Sequence, residues 1–205
     1  FDEKHNFFPN EYIEKLKNEL LNKKFLKKNS LTDLFDTTMG FIILFKSQFK
    51  DNVIKYFPFY KEFIDEIFSD DANVYFINTL ILGLNSKVPL HDDRTLATYS
   101  KGINVPHPLR VGVLYVDIPE MKGGELNIYL GKNCCAKMKP EKNKFVYFKG
   151  NLFHEIKEIS EIFSTQSNFR ISLVCEIYNI NKNSLKAIPN FYTNLPRNDW
   201  FNSQV

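Results

Sequence analysis

The sequence predicts a mainly β protein with flanking helices, in which helices near the N-terminus pack on a β-sandwich or jelly roll. In the first third of the 205-residue chain, apolar residues recur at the three- and four-residue steps of a helix. From Asn73 onward, short runs rich in Val, Ile, Phe and Tyr are separated by Gly, Pro and Asn, as is typical of strands and turns. Helices followed by about seven or eight short strands favour this layered architecture.

Two helices are predicted before the strands. The first covers residues 10–25, where aliphatic side chains form one stripe between lysines and glutamates. The second covers residues 47–68, and Pro58 should start or kink part of it because proline lacks a backbone N–H. The lysines within residues 15–28 have two interpretations, a solvated helix face or a basic patch for phosphates.

The strands are predicted from apolar runs bounded by turn residues. Turn signals such as Lys122-Gly123-Gly124 and Lys149-Gly150-Asn151 separate these runs. The predicted strands cover residues 73–84, 90–98, 110–118, 125–130, 144–148, 152–156 and 169–178. We expect one domain over residues 1–205, divided into helical support (1–72), a jelly-roll core (73–180) and a wrapping tail (181–205).

The composition indicates a folded chain and excludes several classes of protein. Twenty Phe, ten Tyr and a net charge of only +3 rule out intrinsic disorder. No apolar run approaches the roughly 18–20 residues of a transmembrane helix, so no membrane span is expected. The balanced charge gives no indication of a nucleic-acid partner.

The cysteines indicate a reducing compartment. The chain has three, Cys134, Cys135 and Cys175, and the first two are adjacent in sequence. Neighbouring cysteines rarely meet the geometry of a disulfide, so no disulfide framework is expected and a cytoplasmic location is predicted. The chain opens at Phe1 with neither Met nor a leader, which suggests a processed or trimmed N-terminus.

Three polar residues are candidates for holding a metal ion. His91 and Asp93 are two positions apart, so in a strand their side chains share one face. Two histidines and a carboxylate with open positions opposite form the facial triad that holds non-haem iron(II) in oxygenases. His154, in a short predicted strand, is the candidate third ligand. A His-x-Asp pair alone is a weak signal, and its alternative interpretation is a polar pair at a strand edge.

An arginine within an apolar strand is a candidate anion-binding residue. The chain has only four arginines against 23 lysines, and alternation places Arg170 and Ser172 on one face of their strand. A guanidinium that faces the interior needs an anion, because burying it unpaired costs several kcal/mol. A carboxylate matches its planar fork. The alternative is a structural salt bridge, for which three glutamates are available: Glu155, Glu158 and Glu176.

These residues and a few neighbours together resemble a known family. In chain order they are His91-x-Asp93, Tyr115, Gly123-Gly124-Glu125-Leu126, His154 and Arg170-x-Ser172. The set is similar to the catalytic core of the 2-oxoglutarate- and iron(II)-dependent dioxygenases, in particular the prolyl-4-hydroxylase-like branch. The resemblance covers residues 73–178. It implies a double-stranded β-helix (jelly-roll) core packed against N-terminal helices.

The resemblance implies a role for each matching residue. The iron ligands would be three residues, His91, Asp93 and His154. Arg170 would bind the distal carboxylate of 2-oxoglutarate with help from Ser172. Tyr115 would place its hydroxyl near the same carboxylate, and its alternative role is that of an ordinary core aromatic. Gly123 and Gly124 would form a tight structural turn.

Two features depart from the family pattern. His154 and Arg170 are sixteen residues apart, which is more than the family usually shows. We expect the extra residues, within 158–168, to form a longer hairpin loop that leaves both strands in register. Leu80 and Leu82 stand where relatives often present a tyrosine to the cosubstrate, so that contact is missing or supplied elsewhere.

The function implied by the resemblance is hydroxylation of a C–H bond, with decarboxylation of 2-oxoglutarate to succinate and carbon dioxide. The implied cofactors are Fe(II), 2-oxoglutarate and O2, with ascorbate as a candidate reductant. The substrate would be a peptidyl-prolyl group, an amino acid or a related small molecule. The alternative is a non-catalytic jelly-roll module that binds a metal or another ligand. Action on nucleic acid is disfavoured by the absence of an Arg-rich patch.

Overall fold

The computed structural model describes residues 1–29, 33–100, 104–165 and 167–197. The strands in these residues are β1 (Asp2–Lys4), β2 (Thr38–Lys46), β3 (Val74–Leu82), β4 (Val88–His91), β5 (Arg110–Asp117), β6 (Met121–Gly123), β7 (Leu126–Leu130), β8 (Asn133–Met138), β9 (Phe145–Phe148), β10 (Phe153–Ile156), β11 (Ile159–Ile162), β12 (Arg170–Tyr178) and β13 (Phe191–Thr193). The α-helices are α1 (Asn10–Leu20), α2 (Lys50–Tyr56), α3 (Lys61–Ile67), α4 (Leu96–Tyr99) and α5 (Lys182–Leu185). Short 3₁₀ turns cover Asp33–Phe35, Ser47–Phe49 and Pro58–Tyr60.

The strands form a jelly-roll core with flanking helices, which confirms the predicted fold class. A large antiparallel sheet has the order β1-β9-β5-β12-β3-β2-β13, and a smaller one has the order β4-β10-β7-β8. Strands β6 and β11 pair separately. Because β12 lies between β3 and β5, it is hydrogen-bonded along both edges and occupies the middle of the large sheet.

The large sheet is buried on both faces, and this explains its nearly continuous apolar runs. Along β5, Val113 and Tyr115 face a core shared with the small sheet, whereas Leu114 and Val116 face the core under the helices. Alternation along a strand sends successive side chains to opposite faces. Each large apolar side chain buried here contributes about 1.5–3 kcal/mol. The space between the two sheets is therefore the enclosed interior in which polar side chains need partners.

The helices differ from the prediction in extent. Helix α1 ends at Leu20, earlier than expected, and contacts β5. The predicted second helix is two short helices, α2 and α3, separated by a 3₁₀ turn that begins at Pro58. Segment 1–72 is not wholly helical, because it contains β2, whose short apolar run cannot be distinguished from a buried helix by periodicity alone.

Several strands also differ from the prediction. The strand expected over residues 90–98 ends at His91, and α4 follows it. The expected loop within 158–168 instead contains β11, which pairs with β6. The tail contributes β13, which pairs with β2 at the edge of the large sheet. Among the described residues, no helix is long and apolar enough to cross a membrane.

Candidate active site

The two candidate histidine ligands face each other across the small sheet. Strands β4 and β10 are antiparallel, and their register places His91 directly opposite His154. The two imidazole rings lie 4.3 Å apart between centroids. Phe148 packs edge-on against the ring of His154, and Phe35 packs similarly against His91. Both rings are thus held by strand pairing and by aromatic neighbours.

Asp93 completes the group, although it does not lie on a strand as predicted. Strand β4 ends at His91, and an irregular turn brings the Asp93 carboxylate to the histidines. Its Oδ1 lies 3.6 Å from His91 Nε2, and its Oδ2 lies 3.4 Å from His154 Nε2. Within the described ranges these three residues form the one cluster with metal-ligand geometry, with one potential ligand atom from each within 4.8 Å of the others.

The hydrogen bonds of the imidazoles select the tautomer that a metal needs. His91 Nδ1 lies 2.8 Å from the carbonyl oxygen of Pro89, and His154 Nδ1 lies 3.2 Å from that of Leu152. A carbonyl only accepts hydrogen bonds, so Nδ1 carries the proton in each ring and Nε2 presents a lone pair to Asp93. The Asp93 carboxylate also presents lone pairs. Three electron-pair donors therefore converge on one point, as they do around a metal ion.

Burial favours the neutral form of both histidines, which suits the binding of a cation. The same burial disfavours the charged form of Asp93. It lowers the pKa of His154 to about 4. Burial, followed by the charge of His154, lowers the pKa of His91. Burial raises the pKa of Asp93 to about 6, and its Oδ2 has no hydrogen-bond partner among the described residues. A bound divalent cation would supply the missing partner.

Arg170 is fully buried at the start of β12 and only partly satisfied. Its Nη1 donates to the carbonyl oxygen of Gly124 at 2.6 Å, and its Nε donates to Ser172 Oγ at 3.3 Å. Its Nη2 has no hydrogen-bond partner in the described part of the chain. Burial lowers the pKa of the guanidinium. Arg170 therefore retains a free donor, whereas a buried structural arginine would be expected to use all of its donors.

None of the three glutamates proposed as structural partners pairs with Arg170. Glu155 accepts from Tyr129 and Asn127 on the outer face of the small sheet. Glu158 pairs with Lys87. Glu176 is bonded to Thr95 and Tyr178, six residues along β12 from Arg170. The salt-bridge interpretation of Arg170 is thus wrong for each of the candidates that the sequence offers.

Tyr115 and Ser172 lie beside the guanidinium. The Tyr115 ring is fully buried, and its centroid lies 5.1 Å from Arg170 Cζ. Its hydroxyl is buried without a hydrogen-bond partner among the described residues. Ser172 pairs with Tyr115 across the sheet and accepts from Arg170. Arg170 Nη2 and the Tyr115 hydroxyl are thus two buried donors without a partner among the described residues, although of these two residues only Arg170 lines the cavity described below.

The Gly123-Gly124 turn holds the arginine as well as reversing the chain. Both glycines have positive φ, and a Cβ at Gly123 would lie 1.9 Å from the carbonyl oxygen of Glu158. A Cβ at Gly124 would lie 2.9 Å from the side chain of Met121. Because the Gly124 carbonyl accepts from Arg170, the predicted structural turn also orients the guanidinium.

One cavity joins the metal-ligand cluster to Arg170. It is lined mainly by apolar side chains of both sheets. His91, Asp93 and His154 line it together with Arg170, so a ligand inside can reach both. Leu80 stands where members of the resembled family often have a tyrosine, and it contributes only apolar surface to the cavity.

The cavity also contains an acid that the sequence analysis did not place there. Glu176 is buried and lines the cavity with Thr95 and Asn78. The signal was present in the alternation of β12, because positions 170, 172, 174 and 176 share one face. By contrast, Asp92 points away from the cavity toward Arg94 and His107, with contacts of 3.2 and 2.9 Å.

Known proteins match this chain in structure and not in sequence. No protein-family model and no curated protein matches it. A prolyl-4-hydroxylase from Pseudomonas putida has a TM-score of 0.55 at 15% identity, over 88% of this chain and 92% of that one. A viral collagen prolyl hydroxylase from Paramecium bursaria Chlorella virus-1 has a TM-score of 0.52 at 16% identity, over 88% and 96%.

A third structure is a prolyl hydroxylase from Trichoplax adhaerens in complex with a peptide fragment of the hypoxia inducible factor oxygen degradation domain. Its TM-score is 0.53 at 13% identity, and the match covers 86% of this chain and 82% of that chain. All three matches extend over most of both chains. The chain therefore has the jelly-roll fold of the prolyl 4-hydroxylases.

Proposed function

We propose that this protein is an Fe(II)- and 2-oxoglutarate-dependent dioxygenase that hydroxylates a C–H bond of a peptidyl-prolyl, amino-acid or related substrate. The observation that carries the proposal is one cavity whose two ends each present a buried polar atom without a protein partner among the described residues. At one end Asp93 Oδ2 lies beside the Nε2 atoms of two imidazoles, and at the other end Arg170 offers Nη2. A divalent metal would suit the first end and a dicarboxylate the second.

The metal site suits iron(II). His91, Asp93 and His154 would hold the ion, and two histidines with one carboxylate are the ligand set that suits non-haem iron(II). Iron bound there supplies the activation of O2 that couples decarboxylation of 2-oxoglutarate, to succinate and CO2, to hydroxylation of the substrate. The backbone bonds of both Nδ1 atoms fix the rings, and the lowered pKa of each histidine keeps the imidazoles neutral at pH 7.

The residues at the other end suit the distal carboxylate of 2-oxoglutarate. Arg170 offers Nη2, and Tyr115 offers its hydroxyl. Ser172 and the Gly124 carbonyl hold the remaining guanidinium nitrogens in place. Charge-assisted hydrogen bonds of this kind are about twice as strong as neutral ones. The apolar walls exclude water, which strengthens these bonds further.

The substrate is proposed as a peptide or an amino acid because the structures that share the fold include prolyl hydroxylases, one of them bound to a peptide. O2 would be the second cosubstrate and ascorbate the candidate reductant. The three cysteines are free, and a cytoplasmic location stays a prediction.

The proposal is tested by anaerobic titration of the protein with Fe(II) and 2-oxoglutarate. A weak visible charge-transfer band should appear, and His154→Ala should abolish it. His107→Ala is the matched control, because His107 lies half-exposed and bonded to Asp92 on the far side of the turn. In air, the wild type should release succinate, slowly without substrate and faster with a proline-containing peptide or free proline. Absence of both band and succinate would favour the non-catalytic binding module.

A further inference from the structure

The turn that carries Asp93 lies outside the strand ladders. Strand β4 makes its last pair at His91, and α4 begins only at Leu96. Residues 92–95 therefore have no strand partner to fix them. A metal ligand must be held within roughly 0.5 Å of its productive position. Some other contact must supply that restraint for Asp93.

Glu176 supplies a contact of the required kind. Thr95 N–H donates to Glu176 Oε2 at 3.3 Å, and the Tyr178 hydroxyl donates to the same oxygen. The Thr95 side chain also hydrogen-bonds to the Glu176 carboxylate, so Thr95 is joined to the large sheet by its backbone and by its side chain. Glu176 itself is paired with Phe76 on one side and Val111 on the other, so its backbone is anchored in the middle of that sheet.

The cost of burying Glu176 indicates a role beyond packing. Only 2% of the residue is exposed, and no lysine, arginine or histidine of the described chain forms an ion pair with it. Burial, followed by the charge of the nearby Asp93 carboxylate, raises the pKa of Glu176 to about 8. A leucine of similar volume would avoid this desolvation, but it would leave the Thr95 N–H and the Tyr178 hydroxyl without their acceptor.

Strand β12 consequently touches both ends of the cavity. Arg170 and Glu176 lie on the same face of this one strand, six residues apart. Arg170 presents donors to the anion end, and Glu176 holds the turn beside the metal-ligand end. The distance between the two ends is thus set by one strand that is bonded along both edges.

We propose that Glu176 is a positioning residue for the metal centre: by accepting the Thr95 N–H, it holds the turn that directs the Asp93 carboxylate toward His91 and His154. The inference rests on the proposed function for the presence of a metal. It does not require turnover, so metal binding alone can test it.

The test uses Mn(II), a redox-stable probe, and measures its affinity by calorimetry for wild type, Glu176→Leu and Glu176→Gln. Removing a partner that orients a ligand typically weakens metal binding 10–100-fold. We expect a loss in this range for Glu176→Leu, measured at a temperature at which circular dichroism shows that the metal-free variant is folded. Glu176→Gln keeps an oxygen acceptor for Thr95 and should bind within about threefold of wild type.

Two further variants test the donor side of the contact and its specificity. Thr95→Pro removes both the N–H and the hydroxyl that bond Glu176, at a residue whose φ of −59° already suits proline, and it should weaken Mn(II) binding as Glu176→Leu does. Glu155→Leu is the control, because Glu155 follows His154 but bonds outward to Tyr129, and it should leave the affinity unchanged.

Wild-type affinity in Glu176→Leu would overturn the proposal. So would a loss in Glu176→Gln as large as that in Glu176→Leu, since the acceptor for the Thr95 N–H would then not be responsible. Failure of the wild type to bind Mn(II) would overturn both this inference and the proposed function. Mn(II) binding with the expected variant pattern, but with no succinate from the iron-loaded wild type, would overturn the proposed function and leave this inference standing.

Discussion

Replacing Asp93 by Asn is expected to stabilise the metal-free protein and to remove its metal site. Asp93 is buried, and its Oδ2 has no hydrogen-bond partner among the described residues. Asparagine has nearly the same shape but carries no charge to desolvate. A ligand residue that costs stability in the absence of its metal is typical of a functional site.

The size of the effect follows from the pKa of Asp93. Burial raises it from the ordinary 3.8 to about 6. Since each pKa unit corresponds to about 1.36 kcal/mol, ionised Asp93 lowers the free energy of unfolding by about 3 kcal/mol. Below pH 3.8 Asp93 is protonated in both the folded and the unfolded protein, so its burial does not lower the free energy of unfolding through ionisation. Stability falls as the pH rises from 3.8 to 6, and the full loss is present above 6.

The assay is urea unfolding of wild type and Asp93→Asn at pH 8, in EDTA and in Mn(II). At pH 8 His154 is neutral in both states, so its own lowered pKa does not contribute. In EDTA the variant should be more stable by about 3 kcal/mol, and this difference should vanish near pH 3.5. Mn(II) at one hundred times its dissociation constant should stabilise the wild type by about 2.7 kcal/mol and the variant by much less.

Asp92→Asn is the matched control for this prediction. Although burial raises the pKa of Asp92, the hydrogen bond to His107 and the charge of Arg94 lower it overall. Its neutralisation should give no stabilisation and leave the gain from Mn(II) intact. The reasoning is refuted if Asp93→Asn is less stable than wild type in EDTA at pH 8, or if both gain equally from Mn(II).

Three further predictions concern the anion end of the cavity. Arg170→Lys should weaken 2-oxoglutarate binding to the Mn(II)-loaded protein at least about tenfold in calorimetry, because lysine lacks the bidentate fork; unchanged affinity would contradict the assigned role. Tyr115→Phe removes a hydroxyl without a partner, so urea unfolding should change little while the KM for 2-oxoglutarate rises about tenfold; an unchanged KM would restore the core-aromatic interpretation. Gly123→Ala should lower the free energy of unfolding in urea by more than about 2 kcal/mol, because its Cβ would meet a carbonyl oxygen. Gly131→Ala is the control: Gly131 also has a positive φ but faces open space, so the loss should be about 1 kcal/mol. Equal losses would exclude the close contact as the cause.

The fold class could be predicted from the sequence because the patterns that indicate strands and helix breaks involve only residues close together in the chain. Strand runs such as that of β12 carry their own apolar pattern, and Pro58 interrupts its helix wherever the surroundings place it. Strand β2 was less predictable because a short run that is buried on both faces has no periodicity. Strand β11 was taken for a loop because its pairing partner, β6, lies far away in sequence.

By itself, the sequence determined which chemical groups share a strand face. Alternation alone aligned Arg170 with Ser172 on β12, and the scarcity of arginine and histidine made the candidate residues few. These are properties of neighbouring residues, so no knowledge of the folded chain was needed to infer them.

Only the tertiary structure decided how those groups meet. It placed Asp93 on a turn instead of a strand, left Arg170 Nη2 without a hydrogen-bond partner among the residues that the structure describes, and bonded Glu176 to the turn after Asp93. Each result depends on which distant residues satisfy a buried polar atom, and that choice follows from the register between strands far apart in sequence. Local alternation determines the face on which a side chain lies, whereas long-range pairing determines its partner.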